Sequence, residues 1–155
     1  MAFEIPADLN PALTPIAWLI GRWQGNGHGN WPGVGDFEFG QRIDFATNRG
    51  PYLHYLSQTW TLDADGQPDA PLAMETGFWR PAGASGIEVV LTSPEGWVEV
   101  WVGADLVART DTAELSYTGG HRLYGNVDGD LMWAFDRATT DVRLQPYMWA
   151  RLQRA

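Results

Sequence analysis

The chain has 155 residues, no cysteine and a formal net charge of −9, which excludes a disulfide framework, a cysteine-ligated zinc site and a thiol nucleophile. The acidic balance argues against a nucleic-acid partner, and all ten basic residues are arginine, which excludes a Schiff-base or phosphate-loop lysine. The first residues do not resemble a secretory signal, and no apolar run reaches the roughly 18 residues that span a membrane, so a single cytoplasmic domain over residues 1–155 is predicted.

Residues 10–20 contain the clearest helix signal. Asn10 is a favourable N-cap, and Pro11 follows at the first helical position, where its missing N–H costs nothing. The sequence therefore predicts one short N-terminal helix, because the segments after it carry strand signals instead.

Residues 21–31 alternate between two faces at a period of two, which is typical of a half-buried strand. One face is wholly polar, and the other consists of Gly21, Trp23, Gly25, Gly27, Gly29 and Trp31. Glycine weakens a strand interior and usually marks a sharp bend or the close approach of another group. This strand is therefore expected to curl into a small barrel that contains a cavity.

Further strand signals, separated by turn residues, continue to the C-terminus. They fall at residues 37–45, 51–62, 72–80, 86–93, 97–103, 105–112, 115–127, 131–137 and 145–153. So many short strands predict an all-β fold, an antiparallel barrel of about ten strands over residues 21–155, because closure removes exposed sheet edges.

Residues 17–27 carry a G-x-W-x-G-x-G pattern at Gly21, Trp23, Gly25 and Gly27, and three further segments follow at residues 75–80, 89–96 and 144–152. In this order and at this spacing, the four segments resemble the nitrobindin family, whose fold is a calycin-type, fatty-acid-binding-protein-like β-barrel. The resemblance covers nearly the whole chain, and it implies a barrel that holds haem b in related members.

Three positions that would hold that haem differ here. The last strand of the family carries a histidine that ligates the iron, and its counterpart is Tyr147. The family's threonine beside the haem falls where this chain reads Gly33, and a lysine near the haem in some members aligns with Glu114. Trp149 shares the strand face of Tyr147 at period two, so its indole is expected to occupy the space of the haem plane. No cofactor is therefore expected, with haem b as the alternative.

Two residues are weighed as replacement ligands of a haem iron, and no other metal site is predicted. Tyr147 could ligate as a phenolate if an Arg or His lay nearby, but a packing tyrosine is the favoured interpretation. His54 alternates with Tyr52 and Leu56 and could face inward. His28 and His121 are expected on the solvent side.

Arg151 has two alternative roles. The resemblance to calycin barrels implies that an inward Arg151 stacks on Trp23 at the closed end. Alternatively, Arg151 and Tyr147 form a carboxylate clamp. Glu75 is expected to face inward with Arg80 or Gln41 as its partner, since a buried carboxylate needs one. Trp31, Gly33, Phe39, Tyr147 and Trp149 are the candidate pocket residues.

Three functions follow from these patterns, and none assigns a catalytic residue. The first is a nitrobindin-like binding barrel whose cavity is filled by Trp149 and its neighbours or holds a small apolar ligand. The second is a ferric haem protein, ligated by Tyr147 or His54, that acts on peroxynitrite or nitric oxide as its relatives do. The third is a fatty-acid-type carrier. Neither nucleic acid nor a membrane is an expected partner. The oligomeric state is left open, and a homodimer is one of the possible states. The open mouth of the barrel is expected near residues 32–36.

Overall fold

A computed structural model describes residues 3–83, 86–103 and 117–155, together with the backbone of residues 109–110. The predicted helix is present as a 3₁₀ helix over Pro11–Leu19, and the side chain of Asn10 caps it by accepting a hydrogen bond from the backbone N–H of Ala12. Pro15 lies inside the helix and has no N–H to donate. Among the described residues, no helix is long and apolar enough to cross a membrane.

Ten strands follow the helix, and together they form one antiparallel sheet in the order β7-β6-β5-β4-β3-β2-β1-β10-β9-β8. Their bounds are β1 Gly21–Trp31, β2 Gly35–Ala46, β3 Leu53–Leu62, β4 Pro68–Pro81, β5 Ile87–Thr92, β6 Val98–Val102, β7 Arg109–Thr110, β8 Tyr117–Val127, β9 Asp130–Thr139 and β10 Gln145–Arg154. The predicted all-β antiparallel fold with one short helix is confirmed. Most of the strand predicted at 105–112 and the first residues of that at 115–127 lie outside the described residues.

The glycines of β1 allow close packing on the inner face of the curled sheet. A Cβ atom on Gly27 would lie 2.5 Å from the carbonyl oxygen of Trp149 and would overlap the ring of Phe39 on β2. Phe39 is directly opposite Gly27 in the β1–β2 register and is fully buried. The close approach that the glycine pattern predicted is therefore made by the chain's own aromatic rings and backbone.

The helix covers one end of the curled sheet, where Trp23 is fully buried. The indole Nε1 of Trp23 donates to the carbonyl of Leu19, and the guanidinium of Arg154 lies 4.1 Å from the indole centroid. The predicted pairing of Trp23 with Arg151 is wrong, because Arg151 lies on the outer face and its Nε is 2.5 Å from Asp130.

The reason for this error is a β-bulge in β10. Pro146 pairs with Asp136 of β9, but the next paired residue, Met148, is opposite Phe135, so Tyr147 is an extra residue. The bulge shifts the alternation by one position. Trp149 therefore points outward, is 48% exposed and stacks on His28 with ring centroids 4.8 Å apart. The expectation that Trp149 fills the barrel is wrong.

Candidate functional site: a cavity at the open end of the barrel

The described residues enclose a cavity of about 290 Å³ inside the curled sheet. Along β9 the inward side chains are Leu131, Trp133, Phe135 and Arg137, in order from the helix-covered end to the open end. Leu131 belongs to the apolar core, whereas the other three line the cavity. The cavity therefore occupies the half of the barrel away from the helix.

A part-buried ion pair forms the floor of the cavity. The guanidinium of Arg122 on β8 is 2.6 and 3.0 Å from the two carboxylate oxygens of Glu75 on β4, and the hydroxyl of Tyr55 donates to the same carboxylate at 2.8 Å. Arg122 also lies between the rings of Trp101 and Phe135, 4.6 and 4.5 Å from their centroids. These contacts join opposite sides of the rolled sheet.

The ion pair keeps Glu75 charged. Burial alone would raise the pKa of the Glu75 carboxyl, but the positive charge and hydrogen bonds of Arg122 hold that pKa below its usual value. The same pairing raises the pKa of Arg122 despite burial, which acts in the opposite direction. The predicted inward position of Glu75 is confirmed, but its expected partners are wrong, because Arg80 pairs with Glu88 on the outer face.

A second polar chain completes the floor. The indole Nε1 of Trp133 donates to Gln41 at 2.7 Å, and the amide nitrogen of Gln41 donates to the hydroxyl of Ser57 at 2.9 Å. Gln41 and Ser57 are both buried. The cavity thus has a hydrogen-bonded polar floor above an apolar core.

Glu99 on β6 is a second buried carboxyl at the cavity, with 5% of its surface exposed. It forms no ion pair with the described residues, and burial, together with the charge of Glu75, raises the pKa of its carboxyl, although Arg122 opposes this shift. Two buried polar atoms of cavity-lining side chains also lack a hydrogen-bond partner among the described residues, namely Ser93 Oγ and Arg122 Nε. The cavity therefore has polar groups that its own walls leave unused.

Arg137 lies at the open end of the cavity within a group of aromatic rings. Its guanidinium carbon is 5.0 Å from the ring centroid of Trp31, 5.6 Å from that of Tyr117 and 4.9 Å from that of Tyr147. Among the described residues no carboxylate forms an ion pair with Arg137. Within the described part of the chain, its guanidinium is therefore surrounded by aromatic rings and forms no ion pair.

The opening lies between β4 and the turn that follows β5. The two strands pair only as far as Thr76 and Thr92, whereas β4 extends back to Pro68. Residues 72–74 of β4 and Ser93, Glu95 and Trp97 of the turn line the cavity. The expectation of a mouth near residues 32–36 is wrong, since these residues do not line the cavity.

The predicted pocket residues are brought together only in part. Tyr147 lines the cavity. Trp31 and Phe39 do not line the cavity themselves. Trp31 packs against Tyr147 and Phe39 packs against Trp133, with ring centroids 5.1 and 6.1 Å apart. Gly33 is in the exposed β1–β2 turn. Glu114 lies outside the described residues.

No imidazole lines the cavity. The expectation that His54 faces inward is wrong, because the inner face of β3 carries Leu53, Tyr55 and Ser57, and His54 contacts Thr76 at 2.9 Å on the outer face. His28 lies outside the barrel against Trp149, and His121 is exposed. These three are all the histidines in the sequence, so the residues present do not fit a haem held by histidine.

Sequence reasoning did not identify Arg122, Arg137 or Glu99 as site residues. A signal for Arg137 was present, because it continues the alternation of Leu131, Trp133 and Phe135 along β9. A charged residue that continues an apolar inward series is a candidate for a cavity. Arg122 gave no comparable signal, since its neighbours at period two are Gly120 and Tyr124.

Comparisons with known proteins agree with this architecture. Residues 12–154 match the family model described as "THAP4-like, heme-binding beta-barrel domain". The chain is 56% identical to a protein of Cutibacterium acnes named "Ferric nitrobindin-like protein", with all of both chains covered, and 43% identical to a Nocardioides protein named "Peroxynitrite isomerase", with 99% of each covered. The crystal structure of Rv2717c from M. tuberculosis superposes with a TM-score of 0.81 at 29% identity, covering 95% of this chain and 99% of that one.

Proposed function

The chain belongs to the THAP4-like, haem-binding β-barrel family, and from that premise we propose that it is a binding member that does not hold haem through histidine. Its ligand is a small molecule that enters the cavity above the Glu75–Arg122 floor. We also expect it to act in the cytoplasm, because a chain without cysteine suits a reducing compartment.

The observation that carries this proposal is that all three imidazoles of the chain lie outside the cavity. The position at which an iron-ligating histidine is expected is occupied by Tyr147. The size of the cavity supports it. A volume of about 290 Å³ lies at the lower end of the roughly 300–1,000 Å³ that is typical of small-molecule pockets. A ligand of one or two rings suits this space better than a macrocycle.

The test is a titration of the protein with ferric haem, followed by absorbance. We expect no sharp Soret shift and no saturation at one haem per chain. The Tyr147→His variant is the matched comparison, because it returns an imidazole to the cavity wall. A haem spectrum gained only by this variant would show that the missing histidine, and not the size of the cavity, prevents haem binding. Saturable one-to-one binding by the unmodified protein would contradict the proposal.

A second candidate is a ferric haem protein ligated by Tyr147. The observation in its favour is that Tyr147 lines the cavity, with the guanidinium of Arg137 4.9 Å from its ring centroid; tyrosine is a known ligand of haem iron. Under this candidate the chain would act on peroxynitrite, as the name of the Nocardioides relative states for that protein, or on nitric oxide. The Tyr147→Phe variant should then lose a haem spectrum that the unmodified protein shows.

The carrier hypothesis loses its original clamp, because Arg151 lies on the outer face in an ion pair with Asp130. Tyr147 remains at the cavity. Native mass spectrometry of protein purified without added ligand tests whether a carrier cargo is present. A single added mass that disappears on denaturation would support a carrier.

A further inference from the structure

We propose that the cavity binds a small planar aromatic acid, with its carboxylate at Arg137, its ring between the aromatic walls, and a polar substituent toward the floor. This inference rests on the proposed function, since it names the class of ligand for the same cavity. It assigns the end of the cavity that each part of the ligand occupies.

The position of Arg137 determines where the acid group binds. Arg137 lines the open half of the cavity and makes no ion pair with a described carboxylate. The three rings around its guanidinium have centroids 4.9 to 5.6 Å from the guanidinium carbon, and an aromatic ring does not replace a carboxylate as the acceptor of guanidinium N–H donors. Those donors have the fork geometry that matches a carboxylate.

The floor, in contrast, does not favour an anion. The charge of Arg122 is already balanced by two hydrogen bonds to Glu75. Glu99 is a second acidic group that lines the cavity, with no described ion-pair partner. A carboxylate that entered head first would approach two acidic side chains, so the acid group is expected to stay at the opening.

The walls favour a flat ring. Tyr117, Trp133, Phe135 and Tyr147 present aromatic surface to the cavity from β8, β9 and β10, and aromatic rings pack well against such surfaces in stacked or edge-on arrangements. A long alkyl chain is disfavoured, because a cavity of about 290 Å³ ends on a polar floor that an alkyl terminus would desolvate without replacing its hydrogen bonds.

The Glu99 carboxyl gives the far end of the ligand its chemistry. Glu99 lines the cavity, is 5% exposed and forms no ion pair with a described residue. Buried polar groups are usually hydrogen-bonded in folded proteins. The Glu99 carboxyl can therefore accept a hydrogen bond from a hydroxyl or amino substituent on the ring.

The experiment measures binding of four probes by isothermal titration calorimetry: 4-hydroxycinnamate, its methyl ester, cinnamate and decanoate. We expect 4-hydroxycinnamate to bind best, with the neutral ester at least tenfold weaker because it lacks the carboxylate. Cinnamate should be several-fold weaker because it lacks the hydroxyl, and decanoate should be the weakest. Quenching of tryptophan fluorescence gives an independent readout, since Trp133 lines the cavity.

Two arginine variants locate the acid group. Arg137→Gln should weaken 4-hydroxycinnamate at least tenfold and leave the ester unchanged. Arg151→Gln is the matched control, because Arg151 lies on the outer face, and it should bind 4-hydroxycinnamate as the unmodified protein does. If Arg137→Gln does not fold, the comparison of acid with ester in the unmodified protein decides the question alone.

Equal binding of acid and ester, or no effect of Arg137→Gln, would overturn the assignment of the carboxylate to Arg137 while leaving a small-molecule barrel in place. Tighter binding of decanoate than of the aromatic acids, or no binding of any probe, would overturn the proposed ligand class. The ferric haem titration tests the proposed function separately, so the two failures are distinguishable.

Discussion

The guanidinium of Arg154 lies 4.1 Å from the centroid of the Trp23 indole and donates to the carbonyl oxygens of Ile20 and Trp18, at 2.5 and 2.6 Å. The last strand is thereby attached to the end of the helix and to the first strand at once. The C-terminal arginine thus satisfies carbonyls at the helix C-terminus, where a cation is favourable.

Replacement of Arg154 by Gln should therefore destabilise the fold. We expect the free energy of unfolding to fall by about 1–3 kcal/mol, because two charge-assisted hydrogen bonds and a cation–π contact are lost. Urea unfolding followed by tryptophan fluorescence measures the change. Arg151→Gln on the same strand is the control and should change stability by no more than about 1 kcal/mol, as for an exposed ion pair. If Arg151→Gln destabilised the protein more than Arg154→Gln, the result would support a pairing of Trp23 with Arg151 instead of Arg154.

The error about Arg151 shows what strand periodicity predicts and where it fails. Alternation located the strands well, because a half-buried strand repeats every two residues. It failed after Tyr147, because one extra residue in β10 moves Trp149 and Arg151 to the outer face. Pro146 is the one local signal of this bulge, because proline inside a strand is confined to edge strands, first positions and bulges. The apolar pattern gives no further signal, since both alternations bury some apolar residues.

The part-buried ion pair between Glu75 and Arg122 also could not be predicted from the sequence. Glu75 and Arg122 are 47 residues apart, and they meet only because the sheet rolls until β8 faces β4. The inward position of Glu75 could be predicted from its segment, but its partner depends on closure of the whole fold. The cavity has the same origin, because its walls come from strands that are distant in the chain.

Loss of one member of the Glu75–Arg122 pair should be costly. Arg122→Met leaves the part-buried Glu75 carboxylate without its cation, and we expect a loss of about 1–3 kcal/mol in unfolding free energy. The double variant Glu75→Gln/Arg122→Met should recover much of this loss, because the uncompensated charge is gone. Urea titrations of the single and double variants provide the measurement.

The outer-face pair Arg80–Glu88 is the matched control. Arg80→Met removes an arginine from an exposed ion pair, and its effect should stay within about 1 kcal/mol. If Arg122→Met were no more destabilising than Arg80→Met, the ion pair would not contribute to the barrel as we describe.

The raised pKa of Glu99 should make the stability of the folded protein depend on pH. Burial raises the pKa of its carboxyl in the folded protein above the usual value of 4.5. At pH values between the unfolded and the folded pKa, the folded state therefore binds more protons than the unfolded state. The contribution of Glu99 to stability is therefore unchanged below the usual pKa and falls as pH rises toward the folded pKa. Glu75, whose folded pKa is lowered, acts in the opposite direction at lower pH.

Glu99→Gln isolates this effect, because glutamine has the shape of the protonated acid. We expect the variant to exceed the unmodified protein in stability at pH 8 and to match it near pH 4. Glu95→Gln is the control, since Glu95 is exposed at the rim, and it should have little effect at either pH. A Glu99→Gln variant that is less stable at pH 8 would indicate that the Glu99 carboxylate is stabilised in the folded protein.

The close packing around Gly27 on β1 leaves no space for a larger side chain. A Cβ atom on Gly27 would meet the Phe39 ring and the Trp149 carbonyl, which belong to the strands on both sides. Gly27→Ala should therefore cost about 1–3 kcal/mol, as overpacking of a close-packed interior does. Gly125→Ala on β8 has nothing within 4 Å of the added Cβ and should be neutral or slightly stabilising, because alanine loses less backbone entropy on folding. Thermal unfolding of both variants measures the difference, and equal melting temperatures would mean that β1 can move away from Phe39 without cost.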